Sequence, residues 1–526
     1  MANVIIFTGT SRTDPTKTYD KQDQAAAVLT RPLGAYQIAN ILRNQGYTVQ
    51  VVDRYHWLIR NRPQDLWFNI ISKFVGEDTL WIGWSNTFWE AAPRKVGTLD
   101  NSYEQPAAGA IGFTNKGLNG LQKLRQDVNP NIKFVMGGGK TWRMSQQDFR
   151  FFDYYFEGYS DHMVVEFTNW LAGKGPKPST RPADDMSEIL DYDKRGDKFD
   201  FNNHIHCWHE TDYLEQGEPL PIEISRGCIF RCAYCSFPLN GKKKLDYIRD
   251  AGLLREEFIR NYELYGTTKY MYGDDTHNDS PEKLEFLYNE VYSKLPFKIE
   301  FATYLRLDLL AAHPHTIELL KESGLVGTFF GIESFNHEAN KTVGKGAKEE
   351  KIYENLYKCK EVWKDQVFIH SGLLVGLPND NEETIRKWCQ RAMHKDSPLD
   401  WAMITELHLF PHYSKDAHWL NKMELNPEFY GYKFDEDGVN WTNNVGFTKQ
   451  EAVKLSEELM AYRDSQKQTT AQAQGWYSFA RAASMNMSLD QYLNTHTKEI
   501  VEKRDIILNR YCDRLMEGAK NDTHGK

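Results

Sequence analysis

Cysteine is scarce, with seven residues in a chain of 526, and none precedes Cys207. A long chain so poor in cysteine is not a disulfide framework and fits a reducing compartment. Also missing is any apolar run of about 18 residues, the length a membrane-spanning helix needs. The start, Ala2-Asn-Val-Ile-Ile-Phe-Thr8, reads as a strand entering a polar loop, so no signal peptide is expected. The expected setting is cytoplasmic, soluble and without a membrane partner. Positive charge is not in excess: 64 Lys and Arg against 73 Asp and Glu give a formal charge of -9, which disfavours nucleic acid as a general partner. Lys242-Lys243-Lys244 reads as a solvated loop rather than a phosphate site. No G-x-G-x-x-G fingerprint follows the first strand, and Gly137-Gly138-Gly139 comes after a later one, so pyridine dinucleotide binding is disfavoured. What the chain does have is 40% hydrophobic residues, ample for packed cores, and fourteen tryptophans that line either a deep pocket or the core.

Three of the cysteines stand together in Ile224-Ser-Arg-Gly-Cys228-Ile-Phe-Arg-Cys232-Ala-Tyr-Cys235, a C-x3-C-x2-C spacing. Thiolates favour iron-sulfur clusters, and a cubane normally takes four of them, so a compact loop with three leaves one iron open to another ligand. A structural zinc site would want a fourth ligand. The nearest, His204, His206, Cys207 and His209, lie upstream on an extended segment.

The loop opens a repeating strand-helix pattern, which predicts parallel sheet. Strands are expected at Leu220 to Ser225, Lys269 to Gly273, Lys298 to Tyr304, Gly327 to Gly331, Val367 to Val375 and Trp401 to Phe410. The first helix is expected over Leu245 to Tyr265, and the second is capped by Ser280 with Pro281 at its first position. Right-handed crossovers place all six strand ends on one rim.

With Tyr234 before the last cysteine, the motif resembles the signature of the radical SAM superfamily. The resemblance implies a partial (β/α)6 barrel in which Cys228, Cys232 and Cys235 hold a [4Fe-4S] cluster whose open iron binds S-adenosyl-L-methionine. It also gives roles to strand-end residues. Asp274 and Asp275 are similar to the acidic element that receives the cofactor ammonium. Glu333-Ser334 resembles the element meeting its ribose or carboxylate. Gly372-Leu-Leu-Val-Gly376-Leu-Pro378 looks like the stretch beside adenine, although Asn379-Asp380-Asn381 stands where an acidic residue is usual. Arg306 and Tyr234 complete the implied cofactor contacts. Taken without the family, the aspartates could be loop or cap residues, and Arg306 with Asp308 a structural ion pair.

Ahead of the barrel, Asn3 to Thr8, Thr48 to Asp53, Leu80 to Ser85 and Lys133 to Met136 read as strands, and Asp153 to Gly158 as a final strand and turn. Leu33 to Gln45 reads as an amphipathic helix stopped by Gly46. This order resembles the cobalamin (B12)-binding domain of many radical SAM enzymes. Aligned on Gly34, Leu29 and Arg31 occupy the acidic and histidine places of the D-x-H-x-x-G motif, so no histidine ligand is supplied. Two options stay open: bound cobalamin, with Thr8 to Thr10, Ser85 to Thr87 and Gly137 to Thr141, including Ser85, Thr87, Gly137 and Gly138, lining the corrinoid tail, or a domain that kept the fold and lost the ligand.

The expected fold is α/β: an N-terminal Rossmann-like, B12-binding-like parallel sheet domain (1–178), a linker and lead-in (179–218), a radical SAM barrel (219–415) and a helical C-terminal region (416–526), where Thr448-x-x-Glu451 and Ser488-x-x-Gln491 are capping boxes. The implied activity is reductive cleavage of S-adenosylmethionine to a 5'-deoxyadenosyl radical, used for cobalamin-dependent methylation of an unactivated carbon. The alternatives are radical cyclisation, oxidation or rearrangement without methyl transfer, or a non-catalytic electron-transfer or sensor protein. A methylthiotransferase would carry a second cysteine triad, which the N-terminal half lacks. The expected partners are a small-molecule or peptide substrate and an external one-electron reductant such as a flavodoxin or ferredoxin.

Overall fold

The structure is a computed structural model that describes residues 1–9, 26, 28–55, 58, 64–85, 115–138, 141, 151–183, 187–190, 198–236, 242, 245–409, 421–436, 438, 440–466 and 477–521. The chain divides into two compact units. One is Met1–Asp200 with His206–Gln216 and His496–Lys526; the other is Phe201–Ile205 with Gly217–Thr495. Among the described residues no helix is long and apolar enough to cross a membrane.

The first unit alternates β1 (Val4–Phe7), α1 (Leu33–Asn44), β2 (Val49–Val52), α2 (Gln64–Phe74), β3 (Trp81–Ser85), α3 (Asn115–Val128), β4 (Lys133–Gly137), β5 (Tyr154–Phe156), α4 (Met163–Leu171), β6 (Thr180–Pro182) and β7 (Glu188–Leu190). β1 and β2 are buried at every position, as befits parallel strands covered on both faces. Trp84 centres the aromatic core, with Phe7 at 5.1 Å and Phe152 at 5.4 Å between ring centroids. The sheet order is β2-β1-β3-β4-β5-β7-β6. Here two expectations are corrected. Tyr154–Phe156 is not the final strand, and part of the expected linker belongs to the sheet: β7 pairs parallel with β5, and β6 pairs antiparallel with β7. Each strand has three residues, and β6 ends in Pro182, which is tolerated at a sheet edge. Such runs are too short to show a period.

In the second unit, β8 (Leu220–Ile222), α5 (Ala251–Tyr265), β9 (Lys269–Tyr272), α6 (Pro281–Glu290), β10 (Glu300–Leu305), α7 (Leu307–Ala312), α8 (His315–Glu322), β11 (Leu325–Glu333), α9 (His337–Thr342), α10 (Glu349–Trp363), β12 (Phe368–Val375), α11 (Glu382–Met393) and β13 (Trp401–Glu406) follow in order. Their six strands lie in sequence order, β13-β12-β11-β10-β9-β8, and all pair in parallel. Ser280 caps α6 by accepting the Lys283 N–H, with Pro281 at the first position. By contrast, α5 starts six residues later than expected. Asp250 caps it by accepting the Leu253 N–H at 3.0 Å, while Ile248 bridges antiparallel to Ser225. The apolar residues before Asp250 thus pair with the cysteine loop.

Side chains alternate between the two faces of this sheet. Tyr270 meets Phe258 of α5 at 4.8 Å and Phe330 stacks on Trp363 of α10 at 6.2 Å, so Met271, Ala302 and Phe329 turn to the opposite, concave face. Beyond β13 come α12 (Lys422–Leu425), a hairpin of β14 (Lys433–Phe434) and β15 (Trp441–Thr442), α13 (Lys449–Gln466), α14 (Ser478–Ser484) and α15 (Leu489–Asn494). Both capping boxes form. Phe479 and Ala480 of α14 pack on Met271 and Ala302, so this helix fills part of the concave face. The last helix, α16 (Thr497–Asn521), belongs to the first unit: Tyr511 accepts the Asp53 N–H at 2.9 Å. Residues 416–526 are therefore shared between the units rather than forming one appendage.

Gly376, just past β12, has φ +102°, and a Cβ there would lie 2.2 Å from the Trp441 ring. Gly376→Ala is expected to cost about 2–4 kcal/mol from backbone strain plus overpacking, read from the denaturant midpoint. An unchanged midpoint would show that the hairpin yields freely.

Candidate functional site

The cysteine loop leaves β8 under the control of one buried carboxylate. Asp274 Oδ1 accepts the N–H groups of Ile224 and Ser225 at 2.8 and 3.1 Å, and Oδ2 accepts the Ser225 hydroxyl at 2.8 Å. Lys283, itself fully buried, donates to Ser225 Oγ at 2.7 Å and to the Thr276 carbonyl at 2.9 Å. Its ammonium also lies 3.3 Å from Asp279, which accepts the Tyr247 hydroxyl at 2.8 Å. Burial pushes the Asp274 carboxyl up, but His277 and Lys283 outweigh it and hold the group below the usual carboxylate range. Asp274 is therefore spent inside the fold, whereas its neighbour Asp275 stays half-buried. Desolvation, then the charges of Glu223 and Asp274, push Asp275 up to about 7.

Each of the first two sulfurs meets a donor. Cys228 Sγ accepts the Phe230 N–H at 3.5 Å, with Thr276 Oγ1 also at 3.5 Å. Arg306 Nη1 donates to Cys232 Sγ at 3.4 Å. Its guanidinium lies 3.8 Å over the Phe230 ring and grips Asp308 through two bonds of 3.0 and 2.5 Å. Arg306 thus forms the ion pair with Asp308 that the sequence allowed, and the same guanidinium also donates to the Cys232 sulfur. From the other side, the Met423 N–H of α12 bonds the Ala233 carbonyl at 3.2 Å, and Asn421 donates to the Tyr234 carbonyl at 3.2 Å.

Across the rim, Tyr234 donates to Glu333 Oε1 at 2.7 Å, and Lys345 approaches the same oxygen at 3.3 Å while bonding the Gly331 carbonyl. Glu333 has φ +66°, an uncommon conformation for a residue with a side chain. Ser334 turns away: it is buried, donates to Asp380 at 3.1 Å and accepts the Asn336 N–H at 3.0 Å. The sequence reading paired Glu333 with Ser334 and Asp274 with Asp275 as cofactor contacts, and in each pair one member has only internal partners. Lys283 and Lys345 escaped that reading. Lys283 looks like any solvent-facing lysine in a first helical turn, while Lys345, flanked by Gly344 and Gly346, carried a signal in its glycines.

The three thiols suit an iron-sulfur cluster. N–H donors to sulfur are among the features that set cluster properties, and burial keeps the Cys228 thiol up until a metal displaces its proton. Among the described residues no three His, Cys, Asp or Glu side chains converge on a single-ion position, a convergence a four-iron cube does not need. His204, His206, Cys207 and His209 are likewise dispersed: the His209 ring bonds Thr211 at 2.8 Å and His206 packs on Trp208.

In the first unit, Ser85 and Gly137 end β3 and β4, and Gly138 follows at φ +114°. Thr87 lies outside the described residues. The Thr8 and Thr141 hydroxyls at this edge are buried with no hydrogen-bond partner among the described residues, which suits a polar ligand beyond the strand ends. Arg31, at the histidine place, is locked inward: it donates to Tyr36 at 2.6 Å and to the Asp212 carbonyl at 3.0 Å, and lies 3.6 Å from Asp53.

Residues 222–392 match the family model of the Radical SAM superfamily. The ribosomal protein uS12 methylthiotransferase RimO of Protochlamydia amoebophila is 28% identical over 209 residues, 36% of this chain and 42% of that protein. The anaerobic magnesium-protoporphyrin IX monomethyl ester cyclase of Cereibacter sphaeroides is 24% identical over 196 residues, 36% of this chain and 31% of that one. The chain thus spans well under half the length of these curated relatives. Among solved structures, it resembles the radical S-adenosylmethionine methyltransferase TsrM of Kitasatospora setae, solved with cobalamin and a [4Fe-4S] cluster, at 14% identity, with 96% of this chain and 99% of that one covered and a TM-score of 0.58. It also resembles the cobalamin-dependent S-adenosylmethionine radical enzyme OxsB, at 11% identity, 99% and 80% coverage and a TM-score of 0.54. At such identities the likeness establishes the fold. Residues 222–392, within the second compact unit, are thus similar to the radical SAM superfamily.

Proposed function

We propose that the chain reductively cleaves S-adenosylmethionine and, with cobalamin on its first unit, methylates an unactivated carbon of a small-molecule or peptide substrate. The observation that carries the proposal is the cysteine loop, whose three thiols are held at the rim of a radical SAM barrel with donors already aimed at two of the sulfurs. When bound, the [4Fe-4S] cluster supplies the electron that splits the cofactor to methionine and a 5'-deoxyadenosyl radical; cobalamin supplies the methyl group. Cys228, Cys232 and Cys235 hold the cluster and Arg306 orients Cys232. Asp275 accepts the cofactor ammonium, and Glu333, held by Tyr234 and Lys345, fixes a hydroxyl of its ribose. Gly376 leaves backbone beside the adenine. The loops at Thr8, Ser85, Gly137 and Gly138 line the corrinoid tail, with no axial ligand from the place of Arg31. An external one-electron carrier such as a flavodoxin or ferredoxin reduces the cluster.

The test is anaerobic reconstitution with iron, sulfide and cobalamin, reduction with S-adenosylmethionine, and chromatography for deoxyadenosine and retained corrinoid. Both products are expected. Deoxyadenosine without corrinoid would favour radical chemistry without methyl transfer, and neither would remove the proposal.

Asp275 gives a separate expectation. Its folded-state pKa is raised, so its contribution to stability is present below the unfolded value of about 3.9 and is lost as pH climbs through about 7. Asp275→Asn is therefore expected to melt higher than the parent at pH 8 yet bind S-adenosylmethionine about tenfold more weakly or worse, a loss of about 1.4 kcal/mol. Unchanged affinity would remove Asp275 from the cofactor site.

A further inference from the structure

His370 on β12 is 4% exposed, and neither ring nitrogen has a hydrogen-bond partner among the described residues. Buried polar groups rarely go unsatisfied, and each such case calls for an explanation. The surroundings supply one. Tyr304, Phe329, His370 and Trp401 are successive register partners across β10, β11, β12 and β13, so their side chains share the concave face. Neighbouring rings in this row stand 5.2, 4.7 and 4.8 Å apart. At one end is Tyr304, 38% exposed and two residues before Arg306, the donor to the Cys232 sulfur. At the other, Trp401 lies 4.0 Å beneath the Arg463 guanidinium. The row therefore begins beside the cysteine loop and runs obliquely into the barrel.

We propose that this row is the wall of the substrate site, that it takes a planar aromatic or conjugated substrate, and that His370 is its polar anchor, hydrogen-bonding an N–H or a lone pair on the substrate edge. The proposal rests on the radical SAM reading, which places the reacting group at the rim above the row. Burial, and secondarily Arg463, push the imidazole down to about 3. His370 is thus neutral at physiological pH and offers one donor and one acceptor. Flat rings on either side fix its plane, and in a poorly solvated site each bond it makes is strengthened. A purely structural histidine would have spent its nitrogens on protein partners, as Asp274 has spent its oxygens.

The test uses the full-length reconstituted protein and three planar probes: indole, which offers a donor; quinoline, which offers an acceptor; and naphthalene, which offers neither. Calorimetry is expected to show indole and quinoline binding the parent more tightly than naphthalene. His370→Phe, which keeps an aromatic ring in the row, is expected to weaken indole and quinoline about tenfold or more while leaving naphthalene within about twofold. His370→Gln, which restores a donor and an acceptor, should recover part of the loss. Because the phenylalanine variant removes an orphaned polar group, its melting temperature should equal or exceed the parent's. Equal affinities for all three probes, no binding of any probe, or a His370→Phe variant that melts lower and binds all three as the parent does would each overturn the proposal. Deoxyadenosine formation by the parent is followed in the same preparations. Its absence would remove the radical reading and leave the role of His370 to the probes.

Discussion

Alanine at Cys228, Cys232 or Cys235, one at a time, is expected to abolish deoxyadenosine formation and to lower reconstituted iron from about four atoms per chain to below one. Each cysteine is held by its own contact. Cys228 sits under the Phe230 N–H, Cys232 under Arg306, and the Cys235 N–H bonds the Cys232 carbonyl at 3.2 Å. Three of the other four thiols, Cys359, Cys389 and Cys512, are buried in helices α10, α11 and α16 and are not free to substitute. Alanine at Cys359 or Cys389 is the control, and both variants should retain iron. Iron and sulfide analysis with anaerobic chromatography decides the matter. Retention of a full cluster in any of the three loop variants would mean that the ligands lie elsewhere.

Asp274→Ala is expected to destabilise the barrel unit by about 3–5 kcal/mol, the usual result of breaking a buried charge network by removing one partner. The carboxylate accepts two backbone N–H groups and the Ser225 hydroxyl. Its loss leaves those donors unmet and leaves Lys283 with Asp279 as its one remaining carboxylate among the described residues. As the folded-state pKa of Asp274 is lowered, its stabilisation is present above the unfolded value of about 3.9 and disappears as pH falls below that. The parent should therefore lose stability on acidification below about pH 4, and Asp274→Ala should lose less over the same range. Denaturant unfolding across that range checks both statements; parallel curves for the two proteins would contradict them. Iron loading should fall with stability in Asp274→Ala, while Asp275→Asn keeps its fold, which separates the two aspartates by role.

Much of the barrel was legible because each strand is followed by a glycine or polar turn and then a capped helix. Ser280-Pro281 is the clearest case, since the cap and the first-turn proline act locally. Local rules failed where a segment serves a distant one. Leu245 to Asp250 has helical spacing, yet Ile248 pairs with Ser225 because the cysteine loop needs an edge partner. For the paired residues, the sequence could mark Asp274-Asp275 and Glu333-Ser334 as strand-end chemistry but could not tell which member turns inward. That choice depends on Lys283 and His277 in one case and on Asp380 with Asn336 in the other, all brought close by the fold.

The first unit shows the same limit. Its early strands announce themselves as runs of Val, Ile and Trp, whereas β6 and β7 hide in a stretch rich in Pro and Asp. Nothing in the polar, amphipathic surface of α16 identifies Tyr511 as a partner of Asp53 and of Arg31, whose guanidinium lies 5.9 Å from its ring. His370 is the extreme case: a lone histidine in an apolar strand carries no signal until its register partners prove to be Phe329 and Trp401.

The central claim is that three cysteines hold a cluster with one iron left to S-adenosylmethionine. It is tested most directly by electron paramagnetic resonance of the dithionite-reduced protein, before and after adding S-adenosylmethionine labelled with 15N at its amino group. The expected result is a cluster signal that shifts on addition and acquires 15N hyperfine coupling. A signal indifferent to the cofactor, without coupling, would contradict an open iron and return the three cysteines to a purely structural or electron-carrying role.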